Sequence, residues 1–265
     1  MGQKTTRIGL VGYGQIGRAV HEMIDRDAGN GMEVVFVHDQ VADAVKGVSS
    51  DLVLGDLSTF GERGADLVVE MAHPSVTQAW GAKILEQTNY MMISVTALAD
   101  RGLEQTLEGA SKQHGTRCYI PHGGAVGLDA LYENRDVWEA VTVTMKKPPK
   151  NVDCTGAGVD ADSITEERVL YEGPVRGACP MFPRNVNTMA SIAYAGIGFD
   201  RTHAVLIVSP AWNTATVAVE ARAPGLDLEL SRVEGITGVT GASTPASIYN
   251  SVQTIASTGA GIHLR

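Results

Sequence analysis

Gly12-Tyr13-Gly14-Gln15-Ile16-Gly17 spaces three glycines as GxGxxG. The motif follows "RIGLV", Arg7–Val11, which reads as a short buried strand. It opens an amphipathic run, Ile16–Asp27, with Ile16, Val20, Met23 and Ile24 on one helical face. In that setting Gly12 allows a tight turn, Gly14 lets backbone approach a pyrophosphate and Gly17 lets helix and strand pack closely. The N–H groups at the helix start, at Gln15 and Ile16, and the positive end of the helix dipole together favour an anion. A structural glycine-rich turn is the plainer alternative. The next strand candidate, Met32–His38, runs into Asp39, about 20 residues past the motif, where an acid hydrogen-bonds the adenosine ribose of a bound dinucleotide. That carboxylate would repel a 2′-phosphate, and Gln40 and Val41 add no cation, so NAD is favoured over NADP. His38 could assist a phosphate and keeps NADP open. A solvated strand-end acid is the other reading of Asp39.

Two histidines stand at the carboxyl ends of further strand candidates, where parallel sheets place ligands. His73 lies in Ala72-His73-Pro74 after Asp66–Met71, and His122 lies in "IPHGG" after Arg117–Ile120. Histidine is the side chain best suited to proton transfer near neutral pH. A loop histidine that bonds backbone or a ribose is the alternative for both. Lys147, at the end of the strand candidate Ala140–Met145, is a carboxylate anchor, a proton donor or a solvated lysine. Arg184 in "FPRNV" binds a carboxylate or faces solvent. Asn185 and Asn187 cap a helix, face the cleft, or both. His21, His114 and His203 read as surface or capping residues.

These residues need a frame. Helices at Pro74 to about Gln87 and at Arg101–His114 alternate with the strand candidates already named and with Tyr90–Val95. Apolar strands separated by helices imply a mostly parallel sheet covered on both faces, over residues 1–124. Beyond Gly124 a short helix, Gly127–Glu133, precedes strand candidates at Ala140–Met145, Arg168–Glu172, Ala204–Val208, Thr216–Ala223 and Leu226–Val233. One helix, Asn187–Ala195, lies among them. This predicts an α+β domain on an antiparallel or mixed sheet, residues 125–243. A last helix, about Pro245–Ser257, is expected to pack back on the first domain, so that 244–265 belongs with it. The predicted class is α/β: a Rossmann-type parallel sheet domain plus a second α+β domain for substrate binding and dimerisation. The cleft between them is the default ligand site.

The bulk numbers exclude some classes. The chain has 265 residues, 44% hydrophobic and 19% charged, a balance that builds a packed core. Net charge is −9 with no basic stripe, which argues against a nucleic-acid partner. Cys118, Cys154 and Cys179 are widely spaced with no CxxC or His/Cys pattern, so no metal site is expected and a reducing cytosol suits them. No apolar run approaches the roughly 18–20 residues that span a bilayer, and no signal-like h-region precedes the first strand, so a cytoplasmic location is expected.

Several later segments resemble one family. "DLVVEMAHPSV" (66–76), "SVTALAD" (94–100), "IPHGGAVGLDAL" (120–131), "KKPP" (146–149) and the long block around "FPRNVN" (182–187) occur in the order found in the L-aspartate dehydrogenase family. The block and the "GLDAL" loop are the specific parts. The resemblance implies a Rossmann domain followed by a substrate domain, a homodimer, and NAD(P)-dependent interconversion of aspartate with its imino acid. It places Ala72, His73 and Pro74 near the nicotinamide ribose and Thr96–Ala97 by the nicotinamide. It places Gly123 and Gly124 on the cleft floor, and Asn187 facing cofactor and substrate. In the same family a later strand reads close to N-x-H-E-I. Here it reads Asn213-Thr214-Ala215-Thr216-Val217, so the histidine that the resemblance assigns as acid/base falls on Ala215. A methyl group transfers no proton. The expectation is therefore a nicotinamide-dependent oxidoreductase of a small amino or imino acid, with His122 or His73 as the replacement group. A reductase of another carbonyl or a cyclic imine, and a catalytically silent NAD-binding protein, are the alternatives.

Overall fold

The computed structural model describes residues 5–27, 29 and 31–256; residues 1–4 and 257–265, including Ser257 at the expected end of the last helix, lie outside the described residues. The first sheet is built from β1 (Thr6–Val11), β2 (Met32–His38), β3 (Leu67–Glu70), β4 (Asn89–Met92) and β5 (Cys118–Tyr119). All pairs are parallel, in the order β2-β1-β3-β4-β5. The connecting helices are α1 (Gln15–Arg26), α2 (Pro74–Leu85) and α3 (Arg101–His114). Parallel strands buried on both faces carry continuous apolar runs, and all four residues of β3 are buried. On one face Ile8 and Leu10 pack with Val20 and Ile24 of α1 and with Ile248, Val252 and Ala256. Those last three belong to α7 (Thr244–Ala256), which returns from the second domain to lie against α1. The other face packs on α2 and α3 through Val68, Tyr90, Ile84 and Leu107.

The second domain contains α4 (Leu128–Glu133), β6 (Ala140–Lys147), β7 (Arg168–Pro174), α5 (Val175–Met181), α6 (Asn187–Ala195), β8 (Thr202–Val208), β9 (Thr214–Ala223), β10 (Leu226–Thr237) and β11 (Thr240–Gly241). The sheet order is β11-β10-β9-β6-β8-β7. It is mixed: β6 and β8 run parallel and the other pairs are antiparallel. Strict alternation along β6 and β8 buries one face under α5 and α6 and leaves the other half exposed.

Two elements differ from the expected ones. Helix α5 lies where the sequence reads as loop, because Gly177 and Pro180 within seven residues erase the helical signal. Its buried Val175, Ala178 and Cys179 hold it against the core. The strand expected to reach Val95 stops at Met92, and Val95–Ala99 forms a tight helical turn that packs on α5 and α6. Among the described residues no helix is long and apolar enough to cross a membrane.

Candidate active site

One cavity of about 1240 Å³ runs from the β1–α1 turn to the inner face of the second sheet. Its first end is shaped by backbone. Gly12 has φ +95°, and a Cβ there would meet the Met71 carbonyl at 2.7 Å. A Cβ on Gly17 would collide with the Gly12 carbonyl. Gly14 is different: nothing lies within 4 Å of its would-be Cβ, and it is the N-cap of α1 with no side-chain cap. The start of α1, without a side-chain cap for its first N–H groups, borders the cavity at Gly14, Gln15 and Ile16. That arrangement fits a pyrophosphate. Asp39 also lines the cavity, with its carboxylate accepting from the Tyr13 N–H at 2.7 Å and the Val41 N–H at 2.8 Å. His38 donates Nδ1–H to the Leu54 carbonyl at 2.8 Å.

The middle of the cleft is organised by Glu70, fully buried at the end of β3. Its carboxylate accepts from the Ala72 N–H at 2.7 Å, the Ser94 N–H at 3.1 Å and the Ser94 hydroxyl at 2.8 Å. Burial pushes its carboxyl pKa up, and these hydrogen bonds oppose the shift. One carboxylate thus ties the turn after β3 to the turn after β4. Ala72 and His73 line the cavity at this point. His73 caps α2: its Nδ1 accepts from the Ser75 N–H at 3.2 Å and lies 2.9 Å from the Ser75 hydroxyl. An Nδ1 that accepts from an N–H leaves the neutral ring's proton on Nε2.

Thr96 and Ala97 are buried in the Val95–Ala99 turn and do not line the cavity. Thr96 instead acts on Asn187. Its N–H donates to Asn187 Oδ1 at 3.1 Å, and its hydroxyl lies 3.0 Å from the same oxygen and 2.8 Å from the Pro183 carbonyl. The backbone donor fixes the amide's orientation, so Oδ1 faces Thr96 and the two N–H donors of Nδ2 face the other way. Asn187 lines the cavity. The capping reading of the two asparagines is overturned. Val186 is the N-cap of α6, with no side-chain cap, and Asn185 is spent on the Asp153 N–H and the Asn151 carbonyl.

The far end carries long side chains. Lys147 is 4% exposed, so the solvated reading of it is corrected. Its Nζ lies 3.3 Å from the Asn185 carbonyl and 3.4 Å from the Val239 carbonyl. Burial pulls its ammonium down to about 8, against a smaller opposing effect of Glu234. Arg232 donates to the Gly124 carbonyl and pairs with Glu234 at 2.9 Å, while its buried Nε has no hydrogen-bond partner among the described residues. Glu234 also accepts the Ser243 N–H at 2.7 Å. Gly123 and Gly124 shape the floor, and a Cβ on Gly124 would crowd the Thr188 hydroxyl at 2.5 Å. Ala215 lines this end too and is 5% exposed.

Of the two added histidines, His122 lies on the cavity wall with an exposed side chain, and His73 is held as a cap. Arg184 is at the exposed rim. His203 pairs with Glu172 at 3.4 Å away from the cavity. His21 is not a surface residue: it is 7% exposed, bonded to the Tyr13 hydroxyl at 2.7 Å and beside Asp25 at 3.5 Å. Among the described residues no His/Cys/Asp/Glu group could hold a metal ion. Burial pushes the Cys118 and Cys179 thiols up to about 12, far from nucleophilic.

A Rossmann sheet, a glycine loop open at a helix start and an adjoining polar chamber define a nicotinamide-dinucleotide oxidoreductase. Residues 12–121 match the family described as "Homoserine dehydrogenase, NAD binding domain", and residues 129–255 match "Aspartate dehydrogenase, C-terminal". The chain is 35% identical to an aspartate dehydrogenase domain-containing protein of Xenopus tropicalis, covering 94% of each chain. It is 33% identical to an L-aspartate dehydrogenase of Methanosarcina acetivorans, covering 77% of this chain and 79% of the relative. The fold matches the crystal structure of an aspartate dehydrogenase from Thermotoga maritima with a TM-score of 0.76 at 24% identity, covering 97% of this chain and 99% of that one. The chain belongs to the aspartate dehydrogenase family.

Proposed function

We propose that this protein oxidises the CH–NH2 group of a small anionic amino acid, aspartate or a related dicarboxylate, to the imine, and catalyses the reductive reverse. The carrying observation is the continuity of one cavity from the open glycine loop to a chamber holding Lys147, Arg232 and the Asn187 amide. NAD, when bound, supplies the hydride acceptor. Gly12, Gly14, Gln15 and Ile16 hold its pyrophosphate, and Gly17, buried off the cavity, serves the same loop by letting α1 pack close to the Gly12 carbonyl. Asp39 is an acceptor-only group already fixed by two N–H donors, so it suits a ribose hydroxyl and repels a 2′-phosphate. That favours NAD over NADP. Ala72 and the Nε2–H of His73 face the nicotinamide ribose, and Thr96, with Ala97 behind the wall, serves this end through Asn187. The Nδ2 donors of Asn187 and the guanidinium of Arg232 orient substrate carboxylate, as charge-assisted donors do.

Initial rates with L-aspartate and NAD+ or NADP+, and with oxaloacetate, ammonia and the reduced dinucleotides, test this reading. Ammonia-dependent turnover with a preference for NAD is expected. Tight NADH binding without turnover across a broad panel of amino and keto acids would instead mark a silent NAD-binding protein. Reduction of a carbonyl compound without ammonia dependence would mark a different reductase.

We further read the half-exposed face of the second sheet as the contact between two copies of the chain. Val169 and Val233 on that sheet are 50% and 62% exposed. Light scattering that gives a monomer at assay concentration would end this reading.

A further inference from the structure

Three neighbouring strands set Lys147, Ala215 and Glu234 in one row on the cavity face of the second sheet. Ala215 pairs with Glu234 in the β9–β10 register. The β6–β9 pair Lys146–Thr216 carries Lys147 to the other flank of Ala215. All three line the cavity. The row reads cation, methyl, anion, so β9 contributes only a methyl between the ammonium and the carboxylate.

The two charged groups do not close on each other. Glu234 is held by Arg232 and by the Ser243 N–H. Among the described residues Lys147 makes two long contacts, both to neutral carbonyls, whereas an ammonium has three donors. A buried ammonium so weakly held is costly to the fold and is free to serve a ligand. The other charged and titratable groups at this end are Arg232 of β10, Arg184 at the rim and His122 on the loop after β5. Strand β8 and the residue after it offer Val208 and Ser209 beside Lys147, β9 offers Ala215, and the α6 side offers Asn185 and Asn187, none of which titrates near neutral pH.

We propose that Lys147 is the proton-transfer group of this active site, that the space over Ala215 receives the reacting amine, and that Glu234 is the positioning residue across the gap. The assignment rests on the amino-acid dehydrogenase reading above. In the oxidative direction the neutral Lys147 amine takes one proton from the substrate α-ammonium; that N–H bond breaks and an N–H forms on Nζ. The freed lone pair forms the C=N bond as the Cα–H bond breaks, and the C–H electron pair leaves as hydride to the oxidised nicotinamide dinucleotide. The amino acid loses two electrons, the dinucleotide gains two, and Lys147 returns its proton to solvent.

The test is the pH dependence of kcat and kcat/KM for amino-acid oxidation between about pH 6 and 10, where a lysine base would titrate. It uses the whole chain and the variants Lys147→Met, Lys147→Arg and Glu234→Gln. The wild type should gain activity through one ionisation as pH rises. Lys147→Met should lose about 10²- to 10⁴-fold in kcat, the usual contribution of a positioned base, together with the pH rise. Its NADH affinity should be unchanged, and primary amines added to the solution should restore turnover in order of their basicity. Glu234→Gln should move the ionisation to lower pH, because it removes the charge that favours the ammonium. If Lys147→Met fails to bind NADH, Lys147→Arg decides by the same criterion, since a guanidinium keeps the charge but does not deprotonate. Retention of wild-type kcat and pH rise in the deciding variant overturns the assignment of Lys147 alone. A Glu234→Gln profile identical to wild type removes Glu234 from it. A wild-type protein that oxidises no amino acid brings down the functional reading, and this proposal with it.

Discussion

The two ends of the cleft are made of different materials. The nucleotide end is built from backbone: three glycines, the uncapped start of α1 and an aspartate fixed by two N–H groups. The substrate end is built from long side chains on non-adjacent segments: Arg232 and Glu234 paired with each other, and Lys147 buried at a cost with two long contacts among the described residues. A diphosphate is large, rigid and always charged, so fixed dipoles suffice to bind it. A small amino acid must be held and also exchange a proton, which takes groups that titrate. The first end is therefore expected to fail by collision and the second by charge.

The largest effect falls at the nucleotide end. Gly12→Val forces a branched side chain into the Met71 carbonyl at a φ of +95°. A steric cost of about 3 kcal/mol should weaken NADH binding roughly a hundredfold, read by the quenching of protein fluorescence. An NADH affinity within a factor of about two of wild type would break the contrast.

The next effect lies at the substrate end and has the opposite sign. Lys147 sits at about 8 in the fold against 10.5 for an ordinary lysine. Below about pH 8 both states carry the proton and the folded one bears the full desolvation cost. Between 8 and 10.5 the unfolded chain holds the extra proton, so stability rises with pH. Lys147→Met should therefore stabilise the fold near neutral pH by up to about 3 kcal/mol, with the gain shrinking toward pH 10.5, as urea unfolding at two pH values would measure. A destabilised variant at pH 7 would show that the lysine is better satisfied than its two long contacts indicate.

Glu70 sharpens the comparison from the middle of the cleft. Glu70→Gln replaces an acceptor of three hydrogen bonds with a group that must turn a donor toward some of the same N–H groups. The expected loss is about 2 kcal/mol of stability, with a weaker NADH complex because both turns at the nicotinamide end shift. Unchanged thermal unfolding and NADH affinity would mean those turns hold themselves. The smallest effect is Thr96→Val, which deletes a hydroxyl while the backbone N–H still holds Asn187. A change of about 1 kcal/mol, seen as a modest rise in substrate KM with kcat retained, is the expected outcome.

The same contrast explains what the sequence discloses. The nucleotide end is local: strand, GxGxxG and helix are contiguous, and Asp39 sits one βα unit on, so spacing alone places them. The substrate end is assembled by register. Lys147 owes its burial to carbonyls 38 and 92 positions away, and nothing beside it in the chain announces that. Arg232 and Glu234 are not evident as site residues from their neighbours: Arg232 lies inside the expected strand Leu226–Val233, and Glu234 just beyond it, in the part of β10 that continues to Thr237. A signal was present: alternation puts Leu228, Leu230, Arg232, Glu234 and Ile236 on one face, so two charges stand in an apolar row. His73 is legible as a histidine at a strand end, but its capping of α2 depends on a rotamer. His21 reads as a surface residue because its partner, the Tyr13 hydroxyl, belongs to the variable position of the glycine motif.

The bonds between Thr96 and Asn187 join the turn after β4 to the start of α6, positions 91 residues apart in the chain. They lie beside the cleft, with the long α7 return on the far side of the first sheet. They act as a rivet: with the Thr96–Pro183 bond and the packing of the Val95–Ala99 turn on α5 and α6, they fasten the Asn187 amide across the two domains and hold its donors to one direction.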